Sequence, residues 1–199
     1  MKKEIEIRNL PQDIAKVQLR QEEDGAHHIS GYAGVYDQLS HDLGGFQERF
    51  AAGAFDEWIE KNEVWCLHQH NPTLPLGRLL AGTIELNSDD YGLATDCTLA
   101  NTTIARDLIA DVEHGNLTGM SVGFIPVDFS WIKEEDQVIH EVRTAELNHY
   151  SPCRIAAYAG TTISARSLES LEEINKPKVS VFMPSVETLE KWQWLKKNG

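Results

Sequence analysis

In three stretches near the start of this chain apolar and polar residues alternate one for one, and a repeat of two belongs to a strand, not to a helix. The alternation runs over residues 5–8, 15–20 and 29–35, and a strand signal returns at 63–70, 77–86 and 93–99. It appears again at 117–127, 129–132, 137–142 and 145–151, and small and β-branched residues continue it through 155–165. Turn formers such as Asn9, Pro11, Asp24 and Gly25 separate the early segments. One stretch has a clear helical period: Ile104, Leu108, Ile109 and Val112 share a face, Asn101 or Thr102 can cap it, and Gly115 can stop it. Residues 54–62 have the content of a shorter helix after a glycine-punctuated loop over 41–53. So many strands and so few helices call for a sheet that closes or folds over on itself, decorated with two or three helices.

The chain's 199 residues suffice for one domain with its own core. A net charge of -13 disfavours nucleic acid and anionic lipid, which need Lys and Arg to neutralise them. Three scattered cysteines, Cys66, Cys97 and Cys153, suit neither a disulfide framework nor a structural zinc site and point to a reducing compartment. The N-terminus lacks the apolar core of a signal peptide, and no window approaches the ~20 apolar residues of a membrane span. A cytoplasmic location, or one inside something assembled there, is expected. After Arg166 the texture changes to a charged stretch over 167–178, a short apolar run over 179–183, and a helical pattern over 184–198. Val186, Leu189 and Trp192 form a stripe, widened by Trp194 and Leu195, that needs cover from its own domain or from an oligomer contact. The expected division is a domain over 1–166 and a tail over 167–199.

Three segments can carry chemistry. The segment from Trp65 to Pro72 ends a strand pattern with His68 and His70, which strand geometry puts on one face. They can serve as a general base, as metal ligands with Cys66, or as satisfied polar residues. Gly119-Met120-Ser121-Val122-Gly123 sets a serine between glycines, where a substrate backbone could approach. It follows a helix and enters a strand, the reverse of the nucleophile elbow, so an α/β-hydrolase is excluded, while a tightly packed strand remains the alternative. The third segment, 145–152, offers His149, with Glu146 on the opposite strand face. The other histidines, His27, His28, His41, His114 and His140, sit in polar or turn-like contexts and are expected to be solvated.

Taken in order, four blocks resemble the prohead (head-maturation) serine proteases of tailed bacteriophages, relatives of the herpesvirus capsid protease assemblin. They are Gly31-Tyr32-Ala33-Gly34-Val35-Tyr36, Glu48-Arg49-Phe50-Ala51-Ala52-Gly53-Ala54-Phe55, His70-Asn71-Pro72 with Leu76-Gly77-Arg78, and Gly119 to Phe124 preceded by Gly115. The similarity spans about residues 29–166, and ordered blocks are far more specific than any one of them. It implies a mainly β fold with some α: a closed or partly closed antiparallel β-barrel surrounded by a few helices. It also implies Ser121 as nucleophile and His70 as general base.

At the third position many phage members carry a glutamate, whereas this chain reads His149-Tyr150-Ser151. That gives the Ser-His-His composition associated with assemblin, with Glu146 the alternative third member. A neutral imidazole fixes the base's tautomer but lacks a carboxylate's charge, so slower turnover is expected. The resemblance further implies catalysis without metal or cofactor, and capsid and scaffold proteins as partners inside a procapsid in the host cytoplasm. It allows self-processing, with residues 167–199 a removable or scaffold-binding tail. A catalytically silent capsid-assembly protein and a metal-dependent hydrolase built on His68, His70 and His149 stay open.

Overall fold

A computed structural model describes residues 5–9, 16–134 and 137–154. The strand pattern expected over 155–165, the tail helix and the boundary at residue 166 lie outside them.

The described residues form two sheets. The first runs β1 (Glu6–Asn9), β9 (Gly119–Glu134), β10 (Gln137–Cys153), β5 (Trp65–Leu67), β6 (Pro75–Arg78), and β4 (Gln47–Phe50) pairs with the other stretch of β10. The second runs β2 (Gln18–Gln21), β3 (His27–Val35), β8 (Gly92–Leu99), β7 (Ile84–Ser88). They share one core, in which Ile29, Ala33, Leu93 and Cys97 of the second meet Met120, Val122, Phe124, Leu147 and Tyr150 of the first.

The mainly β expectation holds, but among the described residues neither sheet closes into a barrel. β10 also pairs in parallel with β4 and β5, so the first sheet is mixed, not antiparallel throughout. Isolated bridges, Lys16 with Gly119 and Tyr36 with Phe50, link the two sheets' backbones, as does the hydrogen bond from Thr83 N–H, just before β7, to the Arg78 carbonyl at the end of β6. The reason lies on β9: its outer edge from Ser121 to Phe124 is taken by β1, which leaves Gly119 to meet Lys16.

α1 (Asp56–Ile59) is a single turn within the expected 54–62. α2 (Thr103–Glu113) is capped by Thr102, whose hydroxyl accepts from the Ala105 N–H, and ends where Gly115 takes a φ of +73°. That φ suits a residue without a side chain. The apparent breaks near residues 128 and 143 prove to be irregularities within two long strands. β9 and β10 stay paired across them with register shifts on either side of Thr144, and Arg143 clasps Asp128 through two hydrogen bonds of 2.7 and 2.8 Å.

Candidate active site

β9 sorts its side chains by the period of two. Met120, Val122 and Phe124 enter the core, and Ser121 and Gly123 lie on the opposite face. In the ladder Ser121 faces Ser151 and Gly123 faces His149. Four steps on β9 from Ser121 to Ile125 match five on β10 from Ser151 to Glu146, the extra residue being taken up between Leu147 and His149. This bulge overturns the expectation of opposite faces, because it brings Glu146 into phase with His149. Glu146 nonetheless stands farther along, bordering a separate depression with Trp58, Lys61 and Asn62.

Gly123 is required where it stands. A Cβ added there would lie 2.2 Å from the His149 ring, so the missing side chain is the space in which that ring sits.

His70 comes from the other direction. β5 ends at Leu67 and the chain turns through a 3-10 segment, His68–His70, in which Gln69 (φ 48°) and His70 (φ 60°) adopt left-handed backbone. Such geometry is costly for residues other than glycine and gathers at functional sites. It also overturns the expectation that His68 and His70 share a strand face. The turn is held by Asn71, whose carboxamide oxygen accepts from the Thr73 N–H, and by Ser151, whose hydroxyl accepts from the His70 N–H at 3.0 Å.

The three segments thus converge on one line of hydrogen bonds. His70 Nε2 lies 2.8 Å from Ser121 Oγ, His70 Nδ1 lies 2.8 Å from His149 Nε2, and His149 Nδ1 lies 3.1 Å from Asn148 Oδ1. The line has a consistent proton order: hydroxyl to His70 Nε2, His70 Nδ1–H to His149 Nε2, His149 Nδ1–H to the Asn148 oxygen. The Ser121 hydroxyl also stands 2.8 Å from the Arg8 carbonyl oxygen on β1, to which it can donate instead. Burial lowers the His70 pKa from 6.5 to about 4, helped by repulsion from His149, and burial alone takes His149 to about 4. Both imidazoles are therefore neutral at pH 7, the state a proton acceptor needs. Among the described residues no three His, Cys, Asp or Glu side chains gather as a metal ion would require.

A family model described as Caudovirus prohead serine protease matches residues 15–177. The chain belongs to this family. The prohead-protease match takes in the elements from β2 to β10 and leaves β1 outside. Among solved structures the chain is similar to the capsid assembly protease gp21 of bacteriophage T4. The identity is 11% and the TM-score 0.45, over 73% of this chain and 92% of that one. No curated protein matches the chain.

Sequence reasoning passed over three groups in this prohead-protease chain. Ser151 and Asn148 flank His149, but their parts depend on the bulge and on the turn at His70, neither of which a strand pattern displays. His140, expected to be solvated, is 1% exposed and pairs at 2.8 Å with the Glu48 carboxylate between the rings of Trp131 and Phe129. A polar neighbourhood in sequence became an aromatic one in space.

Proposed function

We propose that this chain is an active serine endopeptidase that cleaves capsid and scaffold protein segments during assembly of a phage head. The observation that carries the reading is the continuous line Ser121–His70–His149–Asn148, two of its links being 2.8 Å long. Membership of the prohead serine protease family supports the reaction class and the procapsid in the host cytoplasm as its place.

In the proposed reaction Ser121 Oγ attacks the scissile carbonyl carbon while its proton passes to His70 Nε2. His70 then carries a charge that a neutral neighbour offsets only through the hydrogen bond from Nδ1–H to His149 Nε2. His149 therefore acts by positioning, holding the ring and its tautomer, and Asn148 does the same for His149. The imidazolium returns its proton to the departing amine, and water repeats the sequence on the acyl-enzyme. Residues 167–199, taken with the family's role, are proposed as a tail outside the catalytic domain over 1–166 that is removed or binds scaffold.

The test is Ser121→Ala in the full chain, assayed by cleavage of capsid protein and of the chain itself. Loss of both supports the reading. Unchanged processing would mean that the fold serves assembly without catalysis. Loss of activity to a chelator but not to a fluorophosphonate would point instead to a metal-dependent hydrolase.

A further inference from the structure

Ser121 has no exposed surface, and the chain's own N-terminal strand lies across it. β1 runs antiparallel to β9 with Asn9 opposite Ser121 and Arg8 opposite Val122, and the Arg8 carbonyl oxygen accepts from the serine hydroxyl at 2.8 Å. An extended peptide added to a sheet edge is a recurrent mode of peptide recognition.

The burial of β1 is inverted. Ile5 is 43% exposed and Ile7 only part-buried, while Glu6 and Arg8 are 2% exposed. Apolar burial thus does little to seat this strand, and its charged side does much. The Arg8 guanidinium lies over the Phe124 ring, pairs with Glu6, and reaches Glu48: Nη2 donates to Oε2 at 3.0 Å and Nε stands 2.7 Å from Oε1 as an ion pair. Glu48 belongs to β4 and is held without help from β1, because His140 Nδ1 lies 2.8 Å from its Oε2. The receiving groups Glu48, His140 and Phe124 all fall inside the family match, and the strand they receive falls outside it.

We propose that β1 occupies the place of a substrate strand, and that Glu48 makes that place selective for a basic side chain at the residue whose carbonyl faces Ser121. This rests on Ser121 being the nucleophile. In the present arrangement β1 is inhibitory. A hydroxyl has one proton, and while it goes to the Arg8 carbonyl it does not go to His70 Nε2, so β1 competes with the base for it. Activity then requires β1 to leave, and a cationic peptide strand is drawn in by Glu48 and by the chain's net charge of -13.

The test uses the full chain, its Arg8→Ala variant, and Arg8→Ala combined with Glu48→Gln. Each is assayed with quenched peptides that differ only in carrying Arg, Lys, Gln, Leu or Glu before the scissile bond. Arg8→Ala is expected to cleave the Arg and Lys peptides about 30-fold or more faster than the Gln peptide, the size of effect a desolvated charge pair gives. The unsubstituted chain is expected to show the same order of preference but to be about 10-fold slower, the share of strand-released molecules being smaller. Glu48→Gln is expected to level the preference; if it does not fold, the Arg-to-Gln ratio on Arg8→Ala decides alone. Cleavage without preference for a basic residue, or Arg8→Ala losing thermal stability with no gain in rate, overturns the inference and leaves the peptidase reading standing. No cleavage by any variant, with Ser121 of Arg8→Ala unlabelled by a fluorophosphonate, removes both.

Discussion

Two buried histidine sites divide this molecule. At His140 the ring is paired with a carboxylate, Glu48, and packed against Trp131 and Phe129. At His70 the ring faces a second imidazole, and the line ends on a neutral carboxamide. The protein thus has a histidine–carboxylate pair and sets it away from the serine. The difference bears on what each ring does. Burial lowers the proton affinity of both His70 and His149, repulsion from His149 adds to it at His70, and the base stays neutral with no carboxylate beside it.

Breaking the serine-side line should cost most. His70→Ala is expected to lower the hydrolysis rate by about 10⁴-fold, and His149→Ala by less, on the order of 10²-fold, since it removes positioning and not the base. Equal rates for His149→Ala and the parent chain would take His149 out of the site. Gly123→Ala comes next. The added methyl, 2.2 Å from the His149 ring, should displace that ring and reduce turnover about 100-fold while the fold persists by circular dichroism.

Acidification sharpens the contrast further. Because the folded pKa of both His70 and His149 is about 4 against 6.5 for the free residue, the unfolded chain binds protons in that window that the folded one refuses. Stability is therefore full above pH 6.5 and falls as the pH drops toward 4, on the order of 3 kcal/mol for one such histidine. The two contributions do not add, since part of the His70 shift is repulsion from His149. Urea unfolding at pH 7, 5.5 and 4.5 measures the slope, and the acid limb of kcat/KM should lie near 4. His149→Glu should move that limb upward, because an anion favours protonated His70. The smallest effect expected is at the other site: His140→Ala should destabilise by about 2–3 kcal/mol, leaving Glu48 short of a partner, without shifting the acid limb.

Much of this was legible in the chain itself. Alternation identified the strands because a sheet with one face in the core imposes it, and α2 was legible from its apolar face, its Thr102 cap and Gly115. The segments read as separate on either side of 128 and 143 belong to two continuous strands, which Asp128 and Arg143 clasp together. His68 and His70 were expected to share a face because a period of two assumes that the strand continues, and the left-handed turn at Gln69 and His70 ends it.

What the sequence alone determined is that the chain is mainly strand, with α2 as its one clear helix, and the ordered blocks that resemble a family; it divided β9 and β10, ran β6 and β7 together over 77–86, and left β4 inside a loop. What only the tertiary structure decided is how those strands meet. One extra residue between Leu147 and His149 sets the phase of β10 against β9, and a glycine opposite gives the histidine ring its space. A short strand whose charged residues point inward closes over the serine. The physical reason is that periodicity is local, whereas register, bulges and edge pairing depend on which chain segment arrives alongside.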